Sequence, residues 1–367
     1  MNNIRQNDFL SLVVLFIVGS AVMLDVGRDA MKDSWFAIFM AYLFFIPMNC
    51  MYYLLYKTNE SLNFLKLLQY AFGKWVGSAV NFIYIVYFLY ITSRVLRDFS
   101  EILQIAAFQK VSLAVLAMLM MLAIMYFAEK PIGVFFILTK YLFIIIFATF
   151  IVAVMFEVVS GIIHIDNVRP FLENGWGPVL TTIFPKVLTF PFGELIVLMV
   201  FFVKVKKEKK FGFKFVGAVG VGTWILVTTS FLHVAILGAV TVNRTHFPIL
   251  SSVSVINISD FIQRVDSLIV ILTIILGFVK TSVFFIASIE SSKELLNTDK
   301  NMIIVPLGIL VVYCSLAISP NFPQHIKEGI DIVTYYLHVP LQIIFPIILS
   351  GVVFVKKKIK KEPISLS

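Results

Sequence analysis

Long apolar runs alternate with short polar stretches along nearly the whole chain. A run of about 20 apolar residues is typical of a transmembrane helix, because a helix of that length crosses the hydrocarbon core of a bilayer. Counting such runs predicts ten spans, the first over residues 8–30 and the last over residues 330–355. The pattern therefore predicts an all-α polytopic membrane protein.

Eight further spans lie between these two. They are predicted at residues 34–56, 74–107, 111–128, 132–159, 178–203, 211–242, 265–289 and 302–318. Two intervening stretches, at about 58–72 and 248–264, are too polar to cross the bilayer but carry apolar residues at helical spacing. This spacing predicts amphipathic helices that do not span the membrane and lie on its surface.

Composition supports a membrane protein and argues against several other classes. Hydrophobic residues make up 60% of the 367 residues and charged residues only 14%, whereas an ordinary soluble domain has about 25% charged residues. The two cysteines, Cys50 and Cys314, both lie in apolar runs, which argues against a disulfide framework or a metal site. The sequence contains no P-loop, dinucleotide-binding motif, nucleophile elbow or HExxH motif, so it predicts neither an enzyme nor a cofactor.

Lysine and arginine are distributed unevenly between the two sides of the predicted bundle. If the N-terminus is inside, the cytoplasmic side collects most of them, including the cluster at 204–214 and the tail at 356–367. The positive-inside rule then predicts that both termini are cytoplasmic. The basic tail predicts attachment to anionic lipid rather than to nucleic acid. The second half of the third span, residues 94–101, carries four charged residues, and we expect it to project towards water.

The ten spans divide into two sets of five with matching features. The first span of each set is interrupted, at Gly19-Ser20-Ala21 and at Phe192-Gly193, and the second span of each set is followed by a non-spanning helix. Because each set has an odd number of spans, the two sets must be inverted relative to each other. The pattern predicts inverted repeats over about residues 8–159 and 178–355, with a binding site at mid-membrane between the interruptions.

The stretch Phe190-Pro191-Phe192-Gly193-Glu194 carries most of the predicted chemistry. Proline removes a backbone donor and breaks a helix, and a carboxylate inside a membrane is seldom accidental. The backbone N–H and C=O groups freed at a break suit the carboxylate and the ammonium of an amino acid. The alternative is a proline kink that only shapes helix packing.

Taken together, these features resemble a known family. The layout of five plus five spans with broken helices 1 and 6 is similar to the amino acid–polyamine–organocation (APC) transporter superfamily. More narrowly, the chain resembles the B subunit of spore germinant receptors, in the motifs Gly19-Ser20-Ala21, Asp33-Ser34-Trp35, Gly73-Lys74-Trp75-Val76-Gly77 and Phe190-Pro191-Phe192-Gly193-Glu194. The resemblance implies a single transmembrane domain over residues 1–367 with the LeuT/APC-type fold.

We expect the ligand to contact both breaks and the third span, which lines the pocket in the resembling family. The predicted ligand-binding residues are Val18, Gly19, Ser20, Ala21, Tyr87, Ile91, Thr189, Phe190, Phe192, Gly193 and Glu194. Glu194 either holds a ligand ammonium or forms a structural ion pair, and Tyr87 either lines the pocket or packs as an aromatic residue. His233 and His338 are expected to be bonded core residues, because no second metal ligand lies at a suitable spacing.

Two lysines lie within apolar spans and are predicted to mimic or couple an ion. In sodium-independent transporters of the resembling superfamily, a lysine on the fifth span takes the place of a sodium ion, which implies this role for Lys140. The alternative for Lys140 is snorkelling to the cytoplasmic interface. Lys280 lies deeper, on the eighth span, and we expect both lysines to tie the two halves together by bonding carbonyls near Gly19.

The resemblance implies a germinant-sensing subunit of a nutrient germination receptor, located in the spore inner membrane. Such a subunit binds a small nutrient, for which an amino acid is the first expectation, and signals to A-type and C-type receptor subunits. The alternative is a proton-coupled amino acid transporter of the same superfamily, because a shared fold does not decide function. A polytopic scaffold without a ligand is a third interpretation, and it predicts a dry, filled core at Gly19 and Gly193.

Overall fold

The protein is a bundle of membrane-crossing helices. The computed structural model describes residues 4–58, 62–206, 210–256 and 266–360. The backbone over these ranges is almost entirely helical, and Ile4 and Val205 form an isolated β-bridge. Nine helical stretches in these ranges are long and apolar enough to cross a membrane. The chain is therefore an all-α, multi-pass membrane protein, as its hydropathy pattern predicts.

The helices follow the order expected from the sequence. They are α1 (Gln6–Val18), α2 (Ala21–Leu24), α3 (Ser34–Thr58), α4 (Phe64–Phe72), α5 (Lys74–Ala106), α6 (Leu113–Glu129), α7 (Ile132–Val159), α8 (Trp176–Thr181), α9 (Met199–Phe202), α10 (Phe211–Leu237), α11 (Ala239–Arg244), α12 (Pro248–Ser254), α13 (Asp266–Leu296), α14 (Lys300–Ala317), α15 (Phe322–Lys327) and α16 (Phe345–Lys360). Tighter 3₁₀ turns occur at Arg28–Asp33, Ile165–Val168 and Gly193–Leu198, and wider π-helical turns occur at Thr182–Phe192 and Glu328–Ile344.

The predicted fourth span corresponds to α6. This helix has 17 residues, which places it at the short end of the range for a helix that crosses a bilayer. It lies outside the nine longer candidates. The last candidate, Phe322–Ile359, runs through α15, the π-helical turn and α16 without leaving the helical path.

Two broken stretches and α13 form the centre of the bundle. We call Gln6–Leu24 the first broken helix and Trp176–Phe202 the second broken helix. Within their most apolar windows 83% and 78% of residues are buried, and the value for α13 is 72%. The corresponding value for the highly apolar α7 is only 17%, so most of its surface faces lipid.

The two stretches predicted to lie on the membrane surface are described in part. In the first, α4 is nine residues long and packs along α5, and its Leu65 and Leu68 are buried. In the second, α12 ends at Ser254, and residues 257–265 lie outside the described ranges. The same holds for the tail beyond Lys360.

The charged half of α5 is buried, and the expectation that it projects towards water was wrong. Arg94 and Arg97 are only 8% and 6% exposed. Arg97 forms an ion pair with Glu101 at 2.8 Å, the His325 ring nitrogen lies 2.9 Å from an Asp98 carboxylate oxygen, and Arg94 donates to the His325 carbonyl. Buried charges are tolerated when each has a partner. The partner of Asp98 lies 227 residues further along the chain, so local hydropathy cannot reveal it.

Candidate functional site

The first broken helix is interrupted at Gly19, which we call the first break. The backbone there has φ 19° and ψ −128°, and helix resumes at Ala21. Glycine is required by close packing rather than by the turn alone. A Cβ at Gly19 would lie 2.6 Å from Cδ of Lys280 and 2.9 Å from the carbonyl oxygen of Phe16. Glycine therefore lets the Lys280 side chain pass directly over the break.

The second broken helix leaves helical geometry twice, at Phe184 and at Phe190. Each of these residues precedes a proline, and the residue before a proline is pushed out of the α region towards extended geometry. Phe190 has φ −124° and ψ 111°, and we call this position the second break. Gly193 follows it, and a Cβ there would collide with the side chain of Gln342. The sequence thus specifies the interruptions at Phe184 and Phe190 locally, through the proline that follows each of them.

Lys280 of α13 lies between the two breaks. Its Nζ is 2.6 Å from Oε2 of Glu194 and 4.4 Å from the centre of the Phe190 ring. The Lys280 side chain is 0% exposed and that of Glu194 only 3%. Within the described ranges the lysine pairs with this carboxylate rather than with a carbonyl near Gly19, so the ion-pair interpretation of Glu194 agrees with the geometry.

One cavity of about 80 Å³ reaches both breaks, and we call it the first cavity. Four of the residues predicted to bind the ligand line it, which are Ser20, Ile91, Phe190 and Glu194. Its wall also includes Asp25, Arg94, Asp98, Lys186, Thr334 and His338, which the sequence did not single out for the site. The cavity is therefore assembled from the two broken helices, α5 and the π-helical turn Glu328–Ile344.

The polar groups around the first cavity are mostly bonded to one another. The Asp25 carboxylate accepts a hydrogen bond from Ser230 at 2.8 Å and lies 3.1 Å from Nδ1 of His233. The hydroxyl of Tyr87 lies 2.7 Å from Nδ1 of His338. Ser20 differs, because its buried hydroxyl has no hydrogen-bond partner among the residues described. A buried polar group without a partner at the first break is suited to a ligand.

An ion-pair cluster stands at the mouth of this cavity. Nζ of Lys186 lies 2.6 Å from Oδ2 of Asp29 and 3.5 Å from Oδ1 of Asp331. A wider cavity of about 310 Å³ adjoins the mouth and shares five lining residues with the first cavity, among them Arg28, Asp29 and Lys186. The three paired residues come from three separate elements, so the ion pairs join these elements at the mouth.

The other predicted ligand residues support the cavity wall or lie elsewhere. Tyr87 accepts a hydrogen bond from Gln342 at 2.6 Å, and the Thr189 hydroxyl donates to the Pro185 carbonyl at 2.9 Å. Phe192 packs against aromatic side chains of α3, and Ala21 is buried. These residues, like Gly19 and Gly193, surround the breaks without lining the first cavity. Val18 lines a different cavity.

Lys140 lies apart from the breaks. It is half-buried on α7, and its Nζ is 5.8 Å from the centre of the Tyr141 ring. In the part of the chain described, no carboxylate pairs with it, and it does not line the first cavity. Its role as an ion mimic stays a prediction.

Several residues of the first cavity had a usable signal in the sequence. Asp25 and Lys186 are ionisable residues inside apolar stretches, which is by itself a sign of function. Thr334 gives no such signal, because threonine is common in membrane helices. His338 was expected to be a bonded core residue, and it is bonded, but it also faces the cavity.

Comparison with known proteins assigns this chain to a family. The family model described as spore germination protein matches residues 3–323, a range that includes both breaks. The chain is 28% identical to spore germination protein KB of Bacillus subtilis (strain 168) over 358 residues, which cover 97% of this chain and 95% of that protein. It is 23% identical to spore germination protein A2 of the same organism over 335 residues, or 89% of this chain and 88% of that protein.

Proposed function

This chain belongs to the spore germination protein family, and we propose that it is the germinant-sensing subunit of a nutrient germination receptor. A small nutrient binds in the first cavity, in contact with both breaks. The single observation that carries the proposal is that one cavity reaches the first break at Ser20 and the second break at Phe190 and Glu194.

Two carboxylates of the first cavity are already bonded within the protein, and an amino acid zwitterion is the first choice of ligand. The Glu194 carboxylate is paired with Lys280, and the Asp25 carboxylate is bonded to Ser230 and His233. A ligand with a net charge would find no free counter-ion in these pairs. Helix ends at the breaks offer backbone N–H groups for a carboxylate and carbonyls for an ammonium.

Signalling follows from the position of the breaks in the proposed fold. We propose a LeuT/APC-type arrangement of inverted repeats, over about residues 8–159 and 178–355, with both termini cytoplasmic in the spore inner membrane. A ligand shifts the packing of the halves only if it binds one packing better than the other. The Lys280–Glu194 and Lys186–Asp29 ion pairs each join two separate elements, so we propose that their distances differ between two such packings. We propose that receptor subunits of the A and C types bind this chain and respond to that change in packing.

A proton-coupled amino acid transporter is the second candidate function. The observation that favours it is the group of ionisable side chains on the wall of the first cavity, namely Asp25, Glu194 and His338. Ionisable groups within membrane helices often belong to proton pathways.

Flux separates the two functions. The purified chain is reconstituted in proteoliposomes with an imposed pH gradient, and uptake of the radiolabelled nutrient is measured beside its binding. We expect saturable binding without uptake, together with loss of the nutrient response in spores that lack the gene. Uptake that depends on both the chain and the pH gradient would contradict the receptor proposal and support the transporter. Protein-free liposomes and an Ile91→Trp variant, which fills the first cavity, serve as controls.

A further inference from the structure

A second cavity of about 50 Å³ lies beside the first broken helix, between that helix, α7, α10, α12 and α13. Val18 and Val22 line it, whereas Ser20 and Leu24 line the first cavity. Residues two positions apart on a helix point to opposite sides, so the first broken helix separates the two cavities. Most of the wall of the second cavity is apolar, and its polar side chains are Glu157, Thr229 and His233.

His233 presents an unused acceptor to this cavity. Its Nδ1 lies 3.1 Å from a carboxylate oxygen of Asp25, and a carboxylate accepts, so Nδ1 must donate. In the neutral ring the other nitrogen, Nε2, is then an acceptor. His233 is 1% exposed, and Nε2 has no hydrogen-bond partner in the ranges that the structure covers.

Glu157 adds a carboxylate to the same wall. It is 6% exposed, and within the described part of the chain no lysine or arginine forms an ion pair with it. The Thr229 hydroxyl donates to the carbonyl of Ile225, whereas the Ser252 hydroxyl lies within hydrogen-bonding reach of both the Ile249 carbonyl and the Glu157 carboxyl group. The polar end of the cavity therefore offers a carboxyl group and the imidazole acceptor of His233, and the ionised form of a buried carboxyl group is strongly unfavourable until a cation compensates it.

We infer that the second cavity binds a small primary ammonium that carries a short apolar chain. One N–H group donates to the Glu157 carboxylate and another to Nε2 of His233, and the positive charge compensates the carboxylate. The alkyl chain lies against the aliphatic side chains of the wall, where burial of apolar surface is favourable. An alcohol of the same length supplies a single donor and no charge, so it binds more weakly.

The second cavity is linked to the first through one side chain. Asp25 lines the first cavity and bonds His233, which lines the second. Occupancy of the second cavity therefore acts on a residue of the first, and the two sites are expected to influence each other's affinity reciprocally. The residues that form the second site are the same whichever nutrient binds in the first cavity.

Binding of radiolabelled propylammonium to the full-length chain in nanodiscs of zwitterionic lipid tests the inference. We expect saturable binding at one site, above the level of protein-free nanodiscs. Glu157→Gln should weaken it about tenfold or more, because it removes the counter-charge. Glu129→Gln, which removes an exposed carboxylate at the end of α6, should bind as the wild type does. Ala153→Leu keeps Glu157 but fills the cavity, and it should abolish binding.

Three results would overturn the inference. They are the absence of saturable binding to the wild type, binding of propanol as tight as that of propylammonium, and unchanged binding in both Glu157→Gln and Ala153→Leu. Because Ala153→Leu retains every polar group of the site, the test does not depend on Glu157→Gln folding. No germinant is present in the assay, so its outcome is separate from that of the proposed function.

Discussion

Replacing Glu194 by methionine is expected to lower the free energy of unfolding by about 3–5 kcal/mol, because the Lys280 ammonium then stays buried without its counter-charge. Lys280→Met should have a comparable effect, since it leaves the carboxylate alone. Both side chains are almost completely buried and their charged atoms are 2.6 Å apart, so solvent compensates neither loss. Reversible unfolding in mixed micelles measures the change.

The double variant Glu194→Met, Lys280→Met distinguishes the ion pair from two independent contributions. Replacing a buried pair by apolar side chains of similar volume is often neutral, so the double variant should recover most of the lost stability. The nutrient response should still be weakened, because Glu194 lines the first cavity. If the two single losses add in the double variant, the two residues do not act as a pair.

Gly19→Leu is expected to abolish the nutrient response while the protein remains in the membrane. Even a Cβ at this position would meet the Lys280 side chain at 2.6 Å and the Phe16 carbonyl at 2.9 Å, so a larger side chain must displace the lysine from the break. Displacing the Lys280 side chain also moves its ammonium group, which pairs with the Glu194 carboxylate. A germination dose–response curve measures the loss, and an immunoblot of the membrane fraction measures the amount of protein.

Gly217→Leu is a matched control for this change. Gly217 lies on α10, and a Cβ added there meets nothing within 4 Å. It should give a normal dose–response curve. A normal curve for Gly19→Leu at normal membrane levels would mean that the first break does not belong to the ligand site.

The second break was predictable because its cause is local. A proline forces the residue before it out of the helix, and the Phe190-Pro191 pair shows this in the sequence. Membrane-crossing helices are equally local, since a bilayer requires about 20 apolar residues in a row. Hydropathy alone also predicts α6 as a span, although this helix has only 17 residues.

The pairing of charges around the first cavity was not predictable, because these pairs join distant parts of the chain. The sequence left two interpretations of Glu194 open, and only the fold brings Lys280 of α13 to within 2.6 Å of it. Asp25 and His233 are 208 residues apart. The charged half of α5 was expected to face water for the same reason, since its partner His325 lies on α15. A cavity wall depends on such tertiary contacts at every position.

The distribution of glycine in the chain gives a physical link between the two breaks. Gly19 lets a lysine pass over the first break, and Gly193 lets Gln342 approach the second. Gln342 in turn bonds Tyr87 of α5, whose hydroxyl lies 2.7 Å from His338 on the wall of the first cavity. A shift at either break is therefore expected to move groups that line the first cavity, which is the coupling that the proposed sensor requires.

Protection of a cysteine at position 20 tests the central claim most directly. In a background with Cys50→Ser and Cys314→Ser, the Ser20→Cys variant is treated with a small water-soluble thiol reagent, with and without the nutrient. Ser20 lines the first cavity, so a saturating nutrient is expected to slow its modification strongly, while Glu129→Cys, at the exposed end of α6 and away from both cavities, is unaffected. If the nutrient elicits a response but leaves the rate at position 20 unchanged, the nutrient does not bind at the breaks.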